Sequence, residues 1–437
     1  MELPAQTSDR DGCPGHSATP MTDRPSPRML LGKTMPSPPP DILELATGHE
    51  EPIRFPRSHV RLEAECRGPE GVEDAAAVAL ATTALTQPTD VPPLGDHIVA
   101  GDRIVVAVAD DVAQEQQVLA AVVSTLAAAG ATAEQIEVLR LWSSRLEPVV
   151  AGGTTTIFDP GSEADTAYLM ADDEANPRHV ARGLVDADVV VSVGSFGWNA
   201  ALGGQATEGE LWPAFSRRVA SDELIRALAM RPRGGHRAWK TAAEEVLWQL
   251  GVIAEVKAVH GREGSLAHVA FGMPQTVLPV VRTAASGWRP RIARAAEVAV
   301  ATLSDPQAGL DRIARAIAAA AQVTYPDGTV CIASRLSEEP GVVFTRWRQG
   351  VAIEPLVREA IRSRDPALIA DAFITRQVAR ALGSRRLVLA SDLDEAAVES
   401  LDIGHAATAD DVIRLCRAAE SLIVLHEADR MLPRLRS

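Results

Sequence analysis

The chain has 437 residues, with 43 basic against 58 acidic side chains and a formal charge of −15. Apolar residues make up 46% and charged ones 23%, a globular composition that excludes a wholly disordered chain. The carboxylate excess disfavours nucleic acid and anionic headgroups, no apolar run reaches the roughly 20 residues of a membrane span, and the N-terminus lacks the apolar stretch of a signal peptide, so a cytoplasmic protein is expected.

In chain order, residues 1 to 52 are crowded with proline, which removes backbone donors and blocks helix, so a disordered or extended tail is predicted there. From residue 53 short β-branched runs alternate with Ala/Leu-rich stretches. IVVAVAD (104 to 110) reads as a buried strand, QQVLAAVVSTLAAAG (116 to 130) as a helix closed by Gly130, and IEVLRLW (136 to 142) as the next strand. Strand, helix, strand at that spacing is a parallel βαβ unit. ADVVVSVG (187 to 194) and VIAEVKAVH (252 to 260) continue the series. Their unbroken apolar character suits a sheet covered by helices on both faces.

Around 286 to 297 a glycine, a proline and clustered arginines interrupt the rhythm, and a second α/β series follows. Its predicted strands are 297 to 303, 328 to 334, 386 to 392 and 421 to 427, with helices near 308 to 322, 353 to 363, 366 to 382 and 409 to 419. The expected architecture is α/β: one domain over 53 to 288, a second over 289 to 437, mostly parallel sheets, and a ligand crevice between them at the carboxyl ends of the strands.

Chemistry-bearing residues are sparse. Cys13, Cys66, Cys331 and Cys416 form no CxxC, so neither a zinc knuckle nor a dithiol site is written here. Only Lys33, Lys240 and Lys257 are lysines, and any lysine nucleophile or tether must be one of these. The segment VGSFGWNAALGGQATEG (193 to 209) follows a strand, and its glycines could cradle a phosphate or simply make a crossover loop. Ser195 lies in GSFG, which lacks the spacing of the GxSxG elbow. Trp198, Trp212 and Phe215 could line an apolar pocket, with core packing the ordinary reading.

The strand, the glycine after it, the Gly pair and the apolar-Pro-small ending together resemble the nickel-pincer lactate racemase family. Laid on its motif, Gly194 to Ala214 keeps Gly194, Gly203 and Pro213, with Gly204 completing the pair. The family's catalytic histidine falls on Asn199 and its cofactor-tethering lysine on Gly209. The family's DxTRPxP is similar to Asp110 to Gln116, which keeps Asp110 and has Ala113 at the arginine. Its GxHR ending places Ser144 at the second catalytic histidine and Arg145 at the arginine. A further nickel-ligand histidine of the family falls near Ala220. In the second half, residues 335 to 341 stand where the family has a longer Gly-rich loop, and Ser391 to Leu393 match its SDL.

The resemblance implies a two-domain α/β fold, a 2-hydroxy acid as substrate and a tethered nickel-pincer nucleotide flanked by two imidazoles that move the hydroxyl proton. Histidine suits that task because its pKa lies near neutrality; Asn and Ser cannot shuttle protons at pH 7, and glycine cannot make the tether. His236 and Lys240, at i and i+4 on one helix face, are the substitutes available for a metal ligand and a tether. Two readings follow: a racemase or epimerase-like enzyme with an altered or absent cofactor, or a module that binds a small carboxylate through Arg145 and Asp110 without chemistry. The cofactor is left open, as is the oligomeric state.

Overall fold

The computed structural model describes residues 41–48, 51–88, 90–141, 153–207, 210–252 and 254–436. Two six-stranded sheets organise them. The first has the order Leu266–Gly272, Glu255–His260, Val189–Phe196, Ile104–Val108, Ile136–Leu141, Thr154–Phe158, all parallel except the antiparallel pair at its Leu266–Gly272 edge. The second has the order Gly404–His405, Arg386–Ala390, Thr324–Ala333, Ala296–Thr302, Leu422–Leu425, Leu62–Cys66, and is parallel throughout.

Side chains alternate across each strand, so each sheet feeds two cores. Val106, Val191 and Val256 pack on helices Asp74–Thr86 and Glu115–Ala128, while Val105, Ala107 and Leu139 pack on Leu211, Phe215, Val246 and Leu247. In the second sheet, Ala299, Ala301, Ile332 and Leu425 meet helix Leu310–Ala321, whose run of buried alanines lets its backbone lie close to the strands. The opposite face buries Val298, Val300 and Val424 under Val412 and Cys416 of helix Ala409–Ala418.

All eight predicted strands are present, and helices form at Glu115–Ala128, Leu310–Ala321, Ile353–Ser363, Pro366–Leu382 and Ala409–Ala418. Folded structure begins inside the expected tail. Ile42–Leu45 and Ile53–Pro56 form an antiparallel hairpin that buries Leu43, Leu45 and Phe55 in the second sheet's core. Strand Leu62–Cys66 also joins the second sheet, beside Leu422–Leu425. Residues 42 to 45 and 53 to 66 are therefore built into the second half, although they precede the first half in the chain.

The segment taken as the boundary is itself packed: Trp288 and Ile292 are buried, and Arg291–Ile292 pairs in parallel with Arg434–Leu435. Cys66, Cys331 and Cys416 are free and buried. Among the described residues no helix is long and apolar enough to cross a membrane.

Candidate functional site

The carboxyl ends of the two sheets converge on a cluster of charges. Asp111 follows the first-sheet strand Ile104–Val108, and its carboxylate accepts from Arg430 at 2.8 and 3.0 Å and from Arg312 at 2.8 Å. Arg312 lies in the first turn of helix Leu310–Ala321, and Arg430 ends the short helix Ala428–Arg430 after strand Leu422–Leu425. Asp429, with its carboxylate buried, accepts from the Ser304 amide at 2.8 Å and hydroxyl at 2.6 Å and from Arg312 at 3.3 Å. Burial opposes the charge on Asp111, but Arg430 and Arg312 outweigh it and hold the acid well below the usual carboxylate range. It is an ion-pair anchor, with no proton to exchange near pH 7.

His260, at the end of strand Glu255–His260, places Nε2 2.7 Å from the Asp111 carbonyl oxygen, and the Trp288 indole donates to the His260 carbonyl at 2.8 Å. Burial, helped by Arg430, pushes the imidazole pKa down to about 4 against the pull of Asp111. A neutral ring donating from Nε2 leaves Nδ1 as an acceptor, and Nδ1 has no partner among the described residues. The void here, lined by Ser195, Trp198, His260 and the ionic groups, measures about 20 Å³. That is room for one water and no more.

Of the residues singled out by sequence, Ser195 and Trp198 line this void and Asp110 directly precedes Asp111. Asp110 is half-buried beside the 2.6 Å ion pair of Glu115 with Arg140; burial pushes the Glu115 carboxyl up, Arg140 pulls it back, and Asp110 adds to the rise. The neighbour that bridges the two sheets is Asp111, which the sequence reading passed over. Asn199 is buried, and its Oδ1 accepts from the Leu202 amide at 3.1 Å. With Gly203 at φ +71° this makes the tight turn that pairs Trp198–Asn199 with Gly204–Gln205. Residues 198 to 205 of the Gly-rich segment are thus a hairpin, its turn held by the Asn199 side chain. Gly194 pairs with Lys257 in the sheet. Trp198 and Phe215 are core residues, and the Trp198 indole donates to the Ala285 carbonyl at 3.1 Å. His236 sets Nε2 3.3 Å from the Gln205 carbonyl and its ring 5.2 Å from that of Trp239. Ser144, Arg145 and Gly209 lie outside the described residues.

Two larger cavities lie elsewhere among the described residues. One, of about 410 Å³, has Ala200, Ala201 and Leu228 from the first half facing Gln322, Arg376, Arg380 and Arg385 from the second. Arg376 pairs with both Glu354 oxygens at 3.0 and 3.1 Å and Arg385 donates to the Thr324 carbonyl at 2.9 and 3.1 Å. Arg380 is half-exposed and 4.0 Å from Glu354. The other, of about 650 Å³, lies between helices Pro232–Gln249 and Pro274–Ala284 and the sheet face bearing Glu255 and Lys257. Two of the three lysines line it, Lys240 and the buried Lys257.

Two parallel α/β sheets presenting their carboxyl ends to each other define the class of fold. No protein-family model and no curated protein matches the sequence. Among solved structures, the lactate racemase apoprotein from Thermoanaerobacterium thermosaccharolyticum is similar with a TM-score of 0.68 at 13% identity, over 90% of this chain and 100% of that one. A Thermotoga maritima protein is similar with a TM-score of 0.59 at 11% identity, over 84% of this chain and 100% of that one. The chain has the lactate racemase fold.

Laid on the motif of the family it resembles, the chain has Gly209 where the tethering lysine would stand and, where an imidazole would stand, Asn199, whose side chain caps a turn. Among the described residues no group of three or more His, Cys, Asp or Glu side chains is placed to hold a metal ion, and His236 joins none.

Proposed function

We propose that this chain uses the lactate racemase fold to bind a small carboxylate, without nickel-pincer racemisation. The observation that carries the reading is the cationic pocket of about 410 Å³ between the two halves, where Arg376, Arg380 and Arg385 outnumber the single carboxylate of Glu354. Its volume is in the range of small-molecule sites, and a guanidinium offers the planar fork of donors that a carboxylate matches. Arg376 and Arg385 are held in place by protein acceptors, which leaves Arg380 the group free to swing onto a ligand. Arg145, at the arginine position of the resemblance, is the competing carboxylate anchor. Racemase or epimerase-type chemistry with an altered cofactor is the other reading, and it rests on the fold alone.

The test is calorimetric titration of the intact chain with lactate, glycolate and malate. Binding of at least one acid is expected, and Arg380→Ala should weaken it by about 2 kcal/mol, roughly thirtyfold, as the loss of a charge-assisted pair would. The same loss in Arg145→Ala with Arg380→Ala unchanged would move the ligand to the other anchor. No acid bound by the wild type would remove the carboxylate reading.

A further inference from the structure

The 650 Å³ cavity has the opposite chemistry from the arginine pocket. Its walls are apolar, with Phe196, Trp239 and Trp248 among the lining residues. Glu255 and Lys257 reach it from one face of strand Glu255–His260, because residues two apart share a face. Gly194, directly opposite Lys257 on the neighbouring strand, adds no side chain to that face and leaves the lysine room. The Lys257 ammonium donates to Glu210 at 2.8 Å and lies 3.5 Å from Oε2 of Glu255, too far for a good hydrogen bond. Two carboxylates thus share one ammonium, leaving a net negative charge when both are ionised.

Among the described residues, two buried polar atoms of lining residues make no hydrogen bond. Oε2 of Glu255 is an unused acceptor and Nε1 of Trp239 an unused donor, on residues 5% and 3% exposed. An orphaned buried polar atom is costly, and a ligand that supplies the missing partner recovers that cost. From these groups we infer that the cavity is a binding site for a small organic amine with an apolar body. Its ammonium donates to Glu255, its body lies against the indoles, and an oxygen on the same molecule suits the Trp239 N–H. Aromatic faces around a carboxylate that shares its only ammonium partner among the described residues are the usual surroundings of an organic cation.

The electrostatic surroundings of Glu255 point the same way. Burial, reinforced by Glu210, lifts its pKa to about 7 against the pull of Lys257. The other charged groups lining the cavity are Lys240 and Glu244 of helix Pro232–Gln249, which pair with each other at 3.8 Å at the exposed rim. An ammonium arriving at a carboxyl poised near neutrality ionises it, so binding near pH 7 releases a proton.

The experiment uses two probes with one body: 2-phenylethylamine and 2-phenylethanol. Calorimetry and tryptophan fluorescence are read on the full chain at pH 7. The amine is expected to bind about tenfold or more tightly than the alcohol and to perturb tryptophan emission, with a heat that varies with the ionisation enthalpy of the buffer. Glu255→Gln should abolish the preference and the proton release, while Glu359→Gln on helix Ile353–Ser363, away from the cavity, leaves both. Circular dichroism of Glu255→Gln separates loss of binding from loss of fold, and Trp239→Phe, which keeps an aromatic face, should leave the preference for this oxygen-free amine in place. Equal binding of amine and alcohol, a preference that survives Glu255→Gln in a folded variant, or no amine binding at millimolar concentration would each overturn the assignment. None of these outcomes touches the carboxylate pocket, whose reading rests on Arg380.

Discussion

Asn199 and Asp111 show how the middle of the crevice is closed. The Asn199 amide is spent on the Leu202 backbone, and the Asp111 carboxylate is spent on Arg312 and Arg430. A one-water void remains beside Asp111, lined in part by His260, whose Nδ1 has no partner among the described residues. The imidazole links this packing to pH. Its folded pKa of about 4 lies below the ordinary value of about 6.5, so between these values the unfolded chain binds the extra proton. The contribution of His260 to stability is therefore complete above pH 6.5 and is lost as pH falls toward 4. Urea unfolding at stepped pH should show that loss, and His260→Gln, which keeps a donor for the Asp111 carbonyl but cannot titrate, should flatten the curve over the same window. A wild-type curve as flat as the variant's would show that the ring is not held neutral.

At the scale of elements, what the sequence revealed depended on where each strand sits in its sheet. Ile104–Val108, Ala296–Thr302 and Leu422–Leu425 are interior strands covered on both faces, and their unbroken apolar runs announced them. Leu62–Cys66, Thr154–Phe158 and Leu266–Gly272 were missed, and each is an edge strand. An edge packs on fewer neighbours, so LEAEC and TTTIF carry charges and threonines where an interior strand carries valine. The site was harder to read. Asp110 was chosen by motif position, yet only the fold shows that the next residue turns to meet Arg430 from more than 300 positions away. Lys257 was recognisable as one of three lysines, but its meeting with Glu210 needed the strand's register beside Gly194.

The hairpin Ile42–Leu45 with Ile53–Pro56 was hidden by the proline density around it, although Leu43, Leu45, Ile53 and Phe55 alternate as a half-buried pair of strands should. Its placement makes a firm energetic prediction. Phe55 is almost wholly buried against the second sheet, so Phe55→Ala should cost about 3 to 5 kcal/mol, the range for emptying an aromatic site in a core. Equilibrium urea denaturation checks it. A loss below about 1 kcal/mol would mean that the hairpin is only laid on the surface.

At the scale of the whole molecule, the question is whether the two sheets form halves that separate at residues 286 to 296. The run resembles a linker in composition, with exposed side chains at Arg291 and Arg294 that invite trypsin. Its backbone is committed elsewhere: Leu432 donates to the Trp288 carbonyl at 2.8 Å, Arg434 to Pro290 at 2.9 Å and Arg436 to Ile292 at 2.8 Å. Trp288 also ties the segment to the crevice through its indole bond to His260, and Arg289 stacks on Trp198 at 4.4 Å. A protease needs a stretch of unpaired, extended chain, so cleavage here requires local opening of the C-terminal pairing first. Trypsin under native conditions is therefore expected to spare Arg291 and Arg294 in the full chain. Removing residues 433 to 437 deletes the strand Arg434–Leu435, and in that truncated protein cleavage at the two arginines should accelerate by tenfold or more, corresponding to about 1.4 kcal/mol of lost protection. Mass spectrometry of the fragments reads the result. Rapid cutting at Arg291 in the intact chain would show instead that the segment is a free linker and that the two halves part there.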